Sequence, residues 1–166
     1  EIAKEMAYYP HVLGSRELRE YVVDKLNTDR NFLVDPDDIV LTAGSGEAIA
    51  LLIQAITNPG DIVLTERYVY GGTLSQLKRF GADVVGVPID KDGLIPDALD
   101  DLIKRLKLEG RPPKWLYTIP EHQNPTGSTL PESRRQAILK IAHNNNIPIL
   151  EDECYVDLRF EGECQP

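Results

Sequence analysis

Four loops of this chain carry residues whose types and spacing could do chemistry. Gly44, Ser45 and Gly46 stand between an apolar run and a helix-like run. Free backbone N–H groups and the positive end of a helix there suit a phosphate, although the stretch is neither a Walker A loop nor a G-x-G-x-x-G fingerprint. Tyr68 and Tyr70, in ERYVYGG, could each present a flat face to a ring. Asn124 sits in the run Gln-Asn-Pro-Thr-Gly at 123–127, where Pro125 restricts it to an extended shape. Glu151, Asp152 and Glu153 end another apolar run, and Tyr155 follows. Read singly, each loop has an ordinary alternative: a tight turn, packed tyrosines, an Asn-capped turn, a solvated carboxylate. Read together they offer a phosphate nest, a stacking ring, a hydrogen-bond donor and a carboxylate. A cofactor with a protonated ring nitrogen, a phenolic oxygen and a phosphate needs all four at once.

Strand-like and helix-like patterns alternate around these loops. SRELREYVVDKLNTDR places Leu18, Tyr21, Val22 and Leu26 at helical spacing, with Ser15 positioned as an N-cap. IVLTA (39–43) reads as a buried strand, and EAIALLIQAIT as a helix with Ile49, Leu52, Ile53 and Ile56 on one face. NPGD is a turn. Strands are then expected at 62–65, 83–87, 115–119 and 147–151. Helices are expected over GGTLSQLKRF, over PDALDDLIKRLKL and over PESRRQAILKIAHNNN, with PIDKDGLI as a loop. Leu99, Leu102, Ile103 and Leu106 share one helical face. Short all-apolar strands separated by amphipathic helices predict an α/β fold. Its sheet is mostly parallel and covered by helices on both faces, in three layers. Ligands bind such sheets outside the carboxyl ends of the strands, which is where the four loops fall.

Composition bounds the function. The 166 residues suffice for one domain, and 42% hydrophobic with 27% charged residues is ordinary for a globular chain. No apolar run is long enough to span a bilayer as a helix. The net charge is −9 and the 18 basic residues are dispersed, so the chain lacks the basic footprint of a nucleic-acid binder. Cys154 and Cys164 show no metal spacing with the three histidines and do not make a disulfide scaffold, so no metal is expected and a reducing, cytoplasmic compartment is. The chain opens on Glu1 without an initiator Met and stops just after a strand-like run, so it is expected to be a fragment of a longer protein.

The motifs resemble those of the class I/II aminotransferases of pyridoxal-phosphate fold type I, in the family's order and over essentially the whole chain. YYPHVLGSRELREYV resembles the entry segment, and DPDDIVLTAGSGEAIALL the strand, phosphate turn and helix. NPGDIVLTERYVYGG resembles the segment of the stacking aromatic, and QNPTG followed by ILEDECY completes the set. The resemblance implies pyridoxal 5'-phosphate as cofactor. Asp152 would pair with the protonated pyridine nitrogen, and an opposite charge there favours the protonated form. Asn124 and Tyr155 would hydrogen-bond the phenolic oxygen. Tyr70, rather than Tyr68 by register, would stack on the ring, and Ser45 with the N–H groups around Gly46 would hold the phosphate. Tyr9 matches a tyrosine that reaches the phosphate of the neighbouring subunit, which implies a homodimer. An amino acid and a 2-oxo acid would be the substrates, and no nucleic acid or membrane partner is expected.

Two residues depart from the family pattern. Many relatives carry Gln after the phosphate-turn serine, where this chain has Gly46 and then Glu47, whose carboxylate must point away from the phosphate or weaken the nest. His122 precedes QNPTG in a place often aromatic or apolar, either filling space or touching substrate. Cys154 reads as a small filler. The lysine that forms the imine lies, in the family, a few tens of residues beyond Asp-x-x-Tyr in a Ser-x-x-Lys context. SQLK (75–78) precedes Asp152 and puts Lys78 on a solvated helix face, so no catalytic residue is assigned within the chain. The chain is therefore expected to be part of the large, cofactor-binding domain of an aminotransferase and inactive alone. The same scaffold also serves effector domains of transcription regulators, carbon–sulfur lyases and aminocyclopropane-carboxylate synthases.

Overall fold

The computed structural model describes residues 8–158 and 160–161; Cys164 lies outside them. Two compact units divide the chain near residue 47. In the first, helix α1 spans Arg16–Arg30. Ser15 takes the N-cap position, but its side chain makes no capping hydrogen bond. The expected apolar face of α1 is only half realised: Leu18 is 49% exposed and Tyr21 is exposed, Val22 and Leu26 are partly buried, and the buried residues are Arg19 and Val23. Arg19 can be buried because its guanidinium donates to the Pro36 carbonyl (2.5 Å) and to Asp37 Oδ1 (3.0 Å). That pairing holds the Asp37 carboxyl below its usual range. A single 3-10 turn, Pro36–Asp38, is capped reciprocally by Asp35 and Asp38.

Residues 39–43 correct the sequence reading. They form no strand, since none of the described strands forms a ladder with them. Leu41 N–H instead donates to Leu13 O at 3.0 Å. An apolar run makes a strand only where a neighbouring strand takes its backbone groups.

Helix α2, Ser45–Ile56, leads into the second unit. Its sheet comprises β1 (Ile62–Glu66), β2 (Asp83–Val87), β5 (Pro113–Thr118) and β6 (Ile149–Glu151). The order is β2-β1-β5-β6 and every pairing is parallel. Helices α3 (Gly71–Arg79), α4 (Pro96–Leu108) and α5 (Glu132–Asn145) connect the strands. PIDKDGLI, expected as a loop, contains a small antiparallel hairpin, β3 (Ile89–Asp90) with β4 (Gly93–Leu94). Arg134 of α5 braces it through both Asp90 oxygens at 2.7 Å.

Strand alternation sorts side chains into two cores. Ile62, Leu64 and Leu116 pack with Leu99, Leu102, Ile103 and Leu106 of α4 and Ile138 and Ala142 of α5. Val63, Trp115 and Tyr117 face the other way and pack with Ile49 and Ile53 of α2 and Leu77 of α3. Helices thus cover both faces of the parallel sheet, the three-layer arrangement the sequence predicts. All four expected residues of α4 are buried, but on α2 only Ile49 and Ile53 are, with Leu52 and Ile56 partly exposed. Among the described residues no helix is long and apolar enough to cross a membrane.

The strand order also locates a crevice. From β1 the chain moves outward to β2, then returns to lay β5 on the other side of β1, and continues outward to β6. The direction of winding therefore reverses between β1 and β5. Loops leaving two such strands diverge, and open parallel sheets bind ligands at that reversal.

Candidate functional site

Each strand delivers its last residues to the same end of the sheet. Asp152 follows β6, where its backbone N–H donates to Thr118 O at 3.0 Å. Its side chain is 9% exposed, and Oδ2 accepts a 2.6 Å hydrogen bond from the Tyr117 hydroxyl. Tyr117 is fully buried and accepts in turn from Thr73 Oγ1 of α3 at 3.1 Å. Burial, and then the neighbouring Asp152 carboxylate, push the Tyr117 phenol up. It therefore stays a neutral donor, so the Asp152 carboxylate is held from beneath by a partner that does not compete for charge.

The loop after β5 is held by polar groups, some its own and some from neighbouring segments. Asn124 Nδ2 donates to Tyr155 Oη at 3.0 Å, joining the loop to the segment after β6. The two groups supply an amide N–H and a phenol O–H, a pair suited to one shared anionic or phenolic acceptor. Gln123 beneath them is buried: its Oε1 accepts from Thr126 N–H (2.9 Å) and Thr126 Oγ1 (2.6 Å), and Nε2 donates to Tyr68 O (2.6 Å) and Glu66 Oε2 (3.0 Å). Glu121 is paired at 2.6 Å with Arg135 of α5, and both are buried or nearly so. An open depression of about 640 Å³ lies beside the loop, lined by His122, Gln123, Asn124, Tyr155, Leu158 and Phe160 among others. That volume suits a small-molecule ligand.

His122 takes a left-handed backbone conformation (φ 48°), uncommon outside glycine, and its Nε2 is buried without a hydrogen-bond partner among the described residues. Tyr70 occupies the position before α3 and is 48% exposed, its ring lying over Gly72, where any side chain would collide with it. Tyr68 and Tyr9 are exposed as well. Lys78 is exposed on α3, as its spacing predicts. Cys154 is exposed rather than filling space. Partial burial and the Asp152 carboxylate push its thiol up, which disfavours the nucleophilic thiolate.

Ser45 and Gly46 begin α2 in the first unit, and both are exposed. Gly44 before them has φ 91°, a conformation only glycine adopts freely, and this aims the chain into the helix. Glu47 resolves one departure: its Oε2 accepts from Ala43 N–H at 2.5 Å, reaching back before the turn. Among the described residues, no group of three or more His, Cys, Asp or Glu is placed to hold a metal ion.

The structure thus joins Asn124 to Tyr155 and seats Asp152 on Tyr117. Sequence reasoning missed Tyr117, Thr73, Glu66 and Gln123. Its one usable signal was a Glu and a Tyr inside otherwise apolar strands, each of which needs a partner when buried.

The sequence model described as "Aminotransferase class I and II" matches residues 1–165. An aromatic-amino-acid aminotransferase 1 of Thermococcus litoralis is 33% identical over 97% of this chain and 39% of its own length. A crystal structure of an archaeal alanine:glyoxylate aminotransferase superposes with a TM-score of 0.91 at 40% identity, covering 95% of this chain and 39% of that one. The Pyrococcus horikoshii kynurenine aminotransferase, solved in complex with PMP, gives a TM-score of 0.92 at 31% identity, covering 99% and 41%. The chain therefore spans about two-fifths of the length of these relatives.

Proposed function

We propose, on the premise that this chain belongs to the class I and II aminotransferase family, that it provides the ring-binding part of a pyridoxal 5'-phosphate site. The whole protein would move an amino group between an L-amino acid and a 2-oxo acid. The observation that carries this reading is the enclosed Asp152 carboxylate at the end of β6, held by Tyr117 at 2.6 Å, in the same unit as the 3.0 Å Asn124–Tyr155 pair. A carboxylate for a protonated ring nitrogen and two donors for a phenolic oxygen are the groups this cofactor needs, so the residues fit it. The PMP complex of a relative supports the same choice.

When bound, pyridoxal phosphate supplies an electron sink for charge that develops at the substrate's α-carbon. The protein's part is positioning and electrostatics. Asp152 would keep the ring nitrogen protonated through an opposite charge in a low-dielectric setting. Asn124 and Tyr155 would donate to the phenolic oxygen and fix the ring's rotation. Tyr70 would turn its ring onto the cofactor face. Ser45 Oγ and the amides at the start of α2 would take the phosphate, with the helix dipole favouring the anion. Tyr9 would reach the phosphate of a neighbouring subunit, making the assembly a homodimer. The imine-forming lysine would come from outside these 166 residues, because Lys78 precedes Asp152 and lies exposed on α3. In this reading the chain is part of the large domain, and the protein works in a reducing, cytoplasmic compartment.

The test is product analysis of the whole protein loaded with pyridoxal phosphate. Stoichiometric exchange of amino and oxo groups between an L-amino acid and a 2-oxo acid is expected. Elimination or cyclisation products, or retention on DNA without turnover, would overturn the aminotransferase reading.

A further inference from the structure

We propose that Glu66 is a positioning residue that ties the loop bearing Asn124 to the loop bearing Tyr68 and Tyr70, and so sets the crevice in which the ring is held. The proposal rests on the cofactor-site reading above. Glu66 is the last residue of β1, and it is buried (1% exposed) at the reversal between β1 and β5. Neighbouring loops there have no ladder to hold them together beyond the strand ends.

The Glu66 carboxylate takes the place of that ladder. Oε1 accepts from Thr118 Oγ1 at 2.9 Å, and Oε2 accepts from Ile119 N–H at 3.3 Å and from Gln123 Nε2 at 3.0 Å. Gln123 gives its other Nε2 hydrogen to Tyr68 O at 2.6 Å, two residues beyond Glu66. Gln123 N–H also donates to Ser128 O (2.8 Å), and Gly127 N–H donates to Gln123 O (2.6 Å), so Gln123 closes the turn on which Asn124 rides. Asn124 is the next residue, and its amide is aimed at Tyr155. Moving Gln123 therefore moves Asn124 and the Tyr68 backbone together.

The chemistry of the pocket suits an acceptor with no hydrogen of its own. All three partners are donors in the observed geometry, and no cation is among them. Burial pushes the Glu66 carboxyl up, while Gln123, Thr118 and the Ile119 amide pull the other way. A buried carboxylate without a cation does not maximise stability. Its geometry is explained by what it fixes.

The experiment uses the whole protein and two kinds of readout: pyridoxal phosphate affinity by equilibrium dialysis, and the pH midpoint of the bound cofactor's visible absorption. Glu66→Gln retains an acceptor for Gln123 and Ile119, and its amide can face a rotated Thr118 hydroxyl, so affinity should stay within about threefold. Glu66→Leu and, from the opposite side, Gln123→Met break the tie. Each should weaken binding by about tenfold or more, as loss of a supporting hydrogen bond does at other preorganised sites. Each should also move the absorption midpoint in the same direction as Asn124→Ala. In an Asn124→Ala background, Glu66→Leu should shift the midpoint no further, because its route to the cofactor has been removed. A midpoint unchanged in both Glu66→Leu and Gln123→Met, or an additive shift in the double variant, would overturn the proposal. If Glu66→Leu does not fold, Gln123→Met alone decides. Failure of wild-type protein to bind the cofactor, or an Asn124→Ala midpoint equal to wild type, would instead overturn the site reading itself.

Discussion

The loop after β5 and the turn that opens α2 are both proposed to meet the cofactor, yet they are built in opposite ways. Gln123 is buried with every amide group used, and Glu121 is paired with Arg135, so the shape of residues 119–130 is fixed by contacts inside its own unit. The turn at Gly44, Ser45 and Gly46 presents exposed side chains, and its form comes from glycine's backbone freedom and the Glu47 back-bond to Ala43. The first region is preorganised, which in the proposed reading suits a directional task, orienting a donor toward a ring oxygen. The second offers amides and a dipole, which suit a charge from many angles. Substitutions should therefore cost stability in the first region and affinity alone in the second.

The largest expected effect breaks the ion pair beneath the rigid loop. Arg135→Met would remove the cation paired with the buried Glu121 carboxylate, and urea unfolding should show a loss of about 3–5 kcal/mol. A loss below about 1 kcal/mol would mean the loop is not held from below. Tyr117→Phe removes one buried donor from Asp152 and strands Thr73 Oγ1, with an expected loss of about 1–2 kcal/mol. It should also weaken pyridoxal phosphate binding, read by dialysis, since Asp152 is then free to turn.

A smaller, pH-dependent effect comes from Glu66, whose carboxyl titrates above its ordinary value in the folded chain. Below the unfolded value both states hold the proton. As pH rises past about 4.5 the unfolded chain releases it first, so stability falls until the folded group ionises as well. Subtracting the unfolding free energy of Glu66→Gln from that of wild type at successive pH values should expose this downward slope. An upward slope would mean the partners outweigh burial. Asp90 runs the other way, since Arg134 holds its carboxyl at about 2, so its contribution is present above its ordinary value near 3.8 and is lost as pH falls through about 2. Smallest of all should be Ser45→Ala. It leaves stability within about 0.5 kcal/mol, as surface changes do, while weakening capture of the cofactor's phosphate.

Much of the second unit was legible in the sequence, and the reason is periodicity. Leu99, Leu102, Ile103 and Leu106 announce α4 because their spacing maps one face, and short apolar runs announce the strands because burial on both faces removes any need for polar alternation. The first unit was read less well. IVLTA has strand composition, but a strand is a pairing, and the sequence does not show its partner. In α1 the apolar pattern pointed to Leu18, Tyr21, Val22 and Leu26, whereas the buried side chains are Val23 and Arg19, whose Nη1 is held by residues 17 and 18 positions away. The site divides along the same line. Asn124, Asp152 and Tyr155 could be named from a linear motif. Glu66 and Tyr117 could not, because the bonds that give them meaning span 57 and 35 positions.

The most direct test of the account is the affinity of the whole protein for pyridoxal phosphate with Asp152 and with Asn in its place. Asp152→Asn keeps the shape and an acceptor for Tyr117 but removes the charge that would meet a protonated ring nitrogen. A charged hydrogen bond of about 1.5–3 kcal/mol corresponds to a loss of roughly 10- to 100-fold in affinity, with the unfolding midpoint little changed. Equal affinity in the two proteins would show that Asp152 does not face the cofactor, and the assignment of this end of the sheet would be wrong.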